Sequence, residues 1–252
     1  MFTKYLFILG ATMSLYACGS PKEEQLNNQL ENKETVQNTD DCSSVENQNK
    51  ANNIEVNPNE SNSLTVLTNK NHALDKNYIP SDLVTIDVSY VIENPEVRQL
   101  RQEASEQLSN MFEAALSEGM ELKARSGYRS YLTQENLYSN YVSTHDQETA
   151  DRFSARPGTS EHQTGLAMDI TAESVNNELT EEFINVPEGK WLSQNAHQFG
   201  FVMRYPEGKE DITGYQYEPW HYRYFGEELA TYLYENNLTY EEFLNNQEEL
   251  DE

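Results

Sequence analysis

The run Ser160-Glu161-His162-Gln163-Thr164-Gly165-Leu166-Ala167-Met168-Asp169, followed about fifty residues later by Glu218-Pro219-Trp220-His221, constrains the fold of this chain more than any other feature. Two histidines and one aspartate form a common three-ligand set for a metal such as zinc, with a fourth position left for water. For these residues to share one ion, the fold must return residue 221 to the side of 162 and 169. Gly165 permits a tight turn between the first two ligands. Strand alternation places Ala167 and Asp169 on one face. Glu218, three residues before His221, stands where a carboxylate can take a proton from water. A histidine taken singly is more often a surface or hydrogen-bonded core residue. The combination with the carboxylates, at this spacing, favours a metal.

Apolar spacing describes the surroundings. Val97, Leu100, Ala104, Leu108, Met111, Ala115 and Leu116 recur at three- and four-residue steps. They predict an amphipathic helix opened by Pro95 behind an Asn94 cap and closed by Gly119. Residues 121–126 alternate as a strand, and a second helix is expected at 130–142. Residues 153–164, with Pro157-Gly158, read as a loop that delivers His162. Further short strands are expected at 64–67, 85–92, 166–171, 201–205 and 222–225. Further helices are expected at 180–185, 190–199, 227–236 and 239–246. The pattern is that of an α+β domain, a small antiparallel sheet flanked by helices.

Residues 64–246 have the length of one domain with one core. Residues 18–63 are rich in Asn, Glu, Gln, Ser and Lys. Their few apolar residues, Ile54 and Val56 among them, follow no period, so the segment reads as a disordered polar tether. Residues 1–17 join Lys4 to a short apolar run, as a signal peptide does. Leu15-Tyr16-Ala17-Cys18 resembles a bacterial lipobox. That likeness implies cleavage before Cys18, a lipid on its sulfur, and an extracytoplasmic position anchored to the cell membrane. An ordinary secretory signal or an uncleaved anchor would also place the chain outside the cytoplasm. Cys42 is the one other cysteine, so lipidation of Cys18 leaves no disulfide within the chain. The net charge of -26 repels nucleic acid and other polyanions. Residues 247–252 form an acidic tail, and a monomer is expected.

Three segments together carry a family resemblance. They are Ser126-Gly127-Tyr128-Arg129-Ser130 with Gln134, the stretch from Arg156 to Asp169, and Glu218-Pro219-Trp220-His221-Tyr222-Arg223-Tyr224. In this order they resemble the zinc D-alanyl-D-alanine carboxypeptidases of bacterial cell walls, the VanY-like family, and the likeness runs from about residue 64 to the last helices. It implies a Hedgehog/D-Ala-D-Ala-peptidase-like fold, one zinc ion, and removal of the C-terminal D-alanine from peptidoglycan stem peptides by a D,D-carboxypeptidase. It also implies metal ligands His162, Asp169 and His221, the catalytic base Glu218, and substrate-binding roles for Arg129, Gln134 and Ser160. A guanidinium fork suits the free carboxylate of a peptide terminus. An L,D-carboxypeptidase acting on tetrapeptide stems would use the same motifs. Arg129 argues against an endopeptidase, and the intact ligand set argues against a non-catalytic wall-binding lipoprotein. His72, His145 and His197 match nothing catalytic.

Overall fold

The computed structural model of the chain describes residues 53–251. The expected signal peptide, Cys18, Cys42 and most of the expected tether lie outside the described residues.

A four-stranded antiparallel sheet carries the architecture, in the order β3-β4-β6-β5. Its strands are β3 (Leu122–Ser126), β4 (Ala167–Ala172), β5 (Phe201–Met203) and β6 (His221–Tyr224). A separate two-stranded sheet pairs β1 (Leu83–Thr85) with β2 (Gln99–Arg101). The free side of β3 is covered by a parallel bridge from Tyr90 to Ala124. The helices are α1 (Gln102–Ser117), α2 (Tyr131–Thr144), α3 (Gln147–Phe153), α4 (Pro187–Asn195), the single turn α5 (Glu210–Thr213), α6 (Glu227–Glu235) and α7 (Tyr240–Asp251). The α+β class is as expected from sequence.

Central strand β4 is buried along its whole length. Met168, Ile170 and Ala172 join the main core, where they meet Leu100, Ala104, Leu108, Met111 and Ala115 from β2 and α1. Asp169 and Thr171 face the other way. Full burial of a side chain such as Leu108 contributes about 1.5–3 kcal/mol. The same division holds on β6, where Tyr222 and Tyr224 enter the core while His221 and Arg223 turn to the opposite face.

The first long helix starts later than its sequence pattern suggests, at Gln102 and not at Pro95. Tertiary hydrogen bonds override the helical period here. Gly127 N donates to Val97 O at 2.7 Å and Tyr128 N to Gln99 O at 2.7 Å, which holds residues 97–101 extended. Asn94 still accepts from Glu96 N at 3.0 Å, capping a turn rather than the helix. Leu116, placed on the apolar face by its spacing, is 59% exposed. Residues 64–67 form no strand, and 153–164 is not all loop, because α3 ends at Phe153 and a 3-10 turn occupies Glu161–Thr164.

The ordered region reaches further toward the N-terminus than residue 64. Ile54 is buried against Phe225, Leu229, Leu233, Tyr240 and Phe243 in a second apolar cluster. Asn57 N donates to Thr65 Oγ1 at 2.8 Å and Leu67 N to Pro58 O at 2.9 Å. No periodicity was needed, since a single isoleucine fills a niche between two C-terminal helices.

Candidate metal centre

Sheet register brings the predicted ligands together. Asp169 on β4 lies directly across from His221 on β6, and Ser126 on β3 is the partner of Asp169 on its other side. Cross-strand partners present their side chains on one face. His162 comes from the 3-10 turn just before β4. Gly165 ends that turn at φ +68°, a left-handed conformation that glycine adopts without strain. Ligand atoms of His162, Asp169 and His221 all lie within 4.8 Å of one another, and all three residues are buried.

Each imidazole is held by its rear nitrogen. His162 Nδ1 lies 2.7 Å from the carbonyl of Gly127, to which it donates, so Nε2 faces Asp169 Oδ2 at 3.4 Å. This approach depends on the absence of a side chain at residue 127. A Cβ there would sit 2.5 Å from Gln99 O and 2.9 Å from Met168 Cε. His221 is held by the opposite atom. Its Nε2 lies 3.2 Å from Glu161 Oε2, which leaves Nδ1 facing Asp169 Oδ1 at 3.0 Å and Glu218 Oε2 at 4.0 Å. Backbone carbonyls and carboxylates behind metal-binding histidines fix the tautomer in this way.

The donor set fits a divalent cation. Burial opposes ionisation of Asp169, but His162 and His221 outweigh it and hold its carboxyl well below the usual range. Burial lowers the pKa of His162 and keeps it neutral. Burial also opposes charge on His221, yet the hydrogen bonds to Asp169 and Glu161 prevail and raise its pKa to about 9. A cation bound at Nδ1 replaces that proton, so binding releases it.

Glu218 borders the ligands with its side chain 17% exposed. Burial pushes its carboxyl up to about 7, where it can both take and return a proton. Arg129 follows β3, and its main-chain N–H donates to His162 O at 3.2 Å. Its guanidinium donates to Gln134 Oε1 at 2.6 Å and Ser126 Oγ at 3.3 Å. No carboxylate among the described residues forms an ion pair with it. Burial disfavours its charge, and the fields of Asp169, Tyr141 and Glu218 counter this. Gln134 is fully occupied, its amide nitrogen donating to Ala155 O at 2.6 Å and Ser154 Oγ at 3.4 Å. Its link to the site therefore runs through Arg129. Ser160 is buried immediately before the ligand turn and does not cap it.

Sequence reasoning assigned no role to Glu161, Arg204, Arg223 or Tyr205. Tyr205 stacks on His221 with ring centroids 4.8 Å apart, and Tyr215 packs on Tyr205 at the same distance. Arg223 was legible in principle. It lies two residues beyond His221 on a buried strand, so it shares that face and demands a counter-charge. His197 stands elsewhere, stacked on Tyr234.

Comparison with known proteins agrees with this geometry. Residues 97–227, just over half of the chain, match the family described as VanY: D-alanyl-D-alanine carboxypeptidase. A putative carboxypeptidase of Bacillus subtilis (strain 168), YodJ, is 49% identical over 181 residues, covering 71% of this chain and 66% of the relative. The chain thus spans just under two thirds of that relative's length. The solved structure of the LdcB LD-carboxypeptidase is 48% identical with a TM-score of 0.71, covering 73% of this chain and 87% of its own. That of the vancomycin resistance D,D-pentapeptidase VanY in complex with Zn(II) is 34% identical with a TM-score of 0.58, covering 73% and 99%. The chain belongs to the VanY D-alanyl-D-alanine carboxypeptidase family.

Proposed function

We propose that this chain is a zinc-dependent carboxypeptidase that releases the terminal D-alanine of a peptidoglycan stem peptide. The observation that carries the reading is Arg129, a largely buried guanidinium without a carboxylate partner, beside a three-ligand cage and a carboxyl tuned to about 7. Asp169 and Glu218 counter that charge only at a distance, and a ligand anion in direct contact would pair with it. A peptide's free C-terminus is such an anion, and that makes the site an exopeptidase.

A zinc ion held by His162, Asp169 and His221 would supply a Lewis acid and lower the pKa of water at the site. Glu218 takes a proton at its carboxylate from the attacking water and returns it to the departing amine nitrogen. Arg129 has five N–H groups, of which Gln134 and Ser126 engage two, so three remain for the terminal carboxylate. Gln134, anchored to 154–155, keeps that fork in place. Ser160 adds a hydroxyl at the edge of the ligand turn.

Two stems compete. The likeness to LdcB, at 48% identity against 34% for the VanY structure, supports cleavage of an L,D bond in a tetrapeptide stem. The match to the D-alanyl-D-alanine carboxypeptidase family supports the second reading, a D,D bond in a pentapeptide stem, which the sequence motifs placed first. D-Alanine release from matched tetrapeptide and pentapeptide stems separates them, with Glu218→Ala as control. Release from the tetrapeptide alone supports the L,D reading, and release from the pentapeptide alone supports the D,D reading. A protein that binds zinc and cuts neither refutes the exopeptidase assignment and favours a wall-binding role. We also propose that the chain works outside the cytoplasm as a monomer, tethered by a lipid on Cys18. Supporting this is the lipobox-like run before that residue. A mature chain whose mass shows no acyl lipid on Cys18 would refute the lipid.

A further inference from the structure

We propose that Glu161 is a positioning residue for the metal centre, and that segments outside the matched family region hold it in place through a buried network of charges. The inference rests on the zinc reading above. Glu161 lies beside one ligand in sequence, yet its carboxylate serves the other. Oε2 receives His221 Nε2 at 3.2 Å, while Oε1 receives Arg204 Nε at 2.8 Å and Arg223 Nη1 at 2.9 Å. All of these side chains are at most 4% exposed. A lone carboxylate at this depth would be strongly disfavoured, and two guanidinium groups keep it ionised. Because it is ionised it only accepts, so His221 must present N–H at Nε2, and once a cation replaces the other proton the lone pair of Nδ1 faces the site beside Asp169.

Two arginines around one carboxylate leave a buried positive charge. Glu241 on α7 cancels it, accepting from Arg204 Nη1 at 2.8 Å and Nη2 at 2.6 Å in a bidentate pair. Asn69 Nδ2 donates to the same carboxylate at 3.1 Å. Arg223 uses Nη2 to reach the carbonyls of Leu64 and Val66, each at 3.0 Å. The family match runs from 97 to 227, so Glu241, Asn69, Leu64 and Val66 all lie beyond it. The chain's outer segments on both sides thereby reach the ligand His221 through one neutral set of two glutamates and two arginines.

A cluster that merely clamps the two ends would change stability and leave the metal alone. A positioning device changes metal affinity and coordination geometry in protein that is still folded. The test uses the full chain, stripped of metal, with Glu161→Gln and Glu241→Gln. Zinc affinity is measured by chelator competition, and the visible spectrum is recorded with cobalt(II) in place of zinc. Near-ultraviolet circular dichroism confirms folding. Glu161→Gln is expected to weaken zinc binding about 10- to 100-fold, as loss of a carboxylate behind a ligating histidine does, and to alter the cobalt bands. Glu241→Gln, whose side chain is 12% exposed, is expected to shift both in the same direction by less. If Glu161→Gln fails to fold, Glu241→Gln alone decides. Wild-type affinity and spectrum in the folded variants overturn the positioning role and leave the zinc reading intact. Failure of the wild type to bind zinc overturns the zinc reading and this inference with it.

Discussion

Burial does the tuning at Glu218. Its carboxyl moves from an ordinary 4.5 up to about 7, because the charged form loses solvent. The sign of the effect on stability follows from linkage. A folded state that keeps a proton longer than the unfolded chain is favoured at low pH, so this contribution is present below about 4.5 and is lost as pH rises through 7. Chemical unfolding of the metal-free protein should show that decline across the window, and Glu218→Gln should flatten it. A bound cation draws the value down, so the acid limb of kcat/KM is expected below pH 7 and turnover is lost in the variant. Arg129→Lys keeps the charge and removes the planar fork. We expect kcat/KM to fall by about 1.5–3 kcal/mol, on the order of 10- to 100-fold, with zinc content unchanged. Parallel zinc analysis and D-alanine release check both halves of that expectation.

At the scale of elements, β3, β4 and β6 act as a jig. Register puts Asp169 beside His221, and the loop after β3 supplies Gly127 and Arg129. Gly127→Ala tests the jig, since a Cβ would meet Gln99 O at 2.5 Å and main chain must then move. Displacing the Gly127 carbonyl frees His162 Nδ1, so we expect weaker zinc binding and a loss of stability, read by chelator competition and thermal unfolding. Much at this scale was legible. Period-two alternation located β3 and β4, a strand was expected where β6 lies, and helices were expected at α2, α4 and α6. The start of α1 was not, because main-chain bonds from Gly127 and Tyr128 compete with the helix for residues 97–101. Nor were the ends of 153–164, where a short helix closes at Phe153 and a 3-10 turn occupies Glu161–Thr164 on either side of the expected loop.

The whole molecule is closed by its outer segments. Ile54 packs under α6 and α7, so a chain that begins at Leu64 exposes Phe225, Leu229 and Phe243. Loss of the Ile54 contact alone is expected to cost about 1.5–3 kcal/mol. For a domain of this size that lowers the thermal midpoint by roughly 2–4 °C per kcal/mol. Comparing thermal unfolding of chains that start at residues 53 and 64 measures it. The sequence by itself determined the chemistry. His162, Asp169, His221 and Glu218 are the residue types a hydrolytic metal site needs, in motifs short enough to read locally, and alternation set which strand face carries them. Only the tertiary structure decided which nitrogen of each histidine faces the metal, since that depends on Gly127 and Glu161 arriving from elsewhere in space. It also decided that Gln134 serves Arg129 and that Glu161 is neutralised by Arg204, Arg223 and Glu241. Such pairings span up to 62 residues of sequence. No local pattern encodes them, because buried charges choose partners by proximity in the fold and by the need for neutrality there.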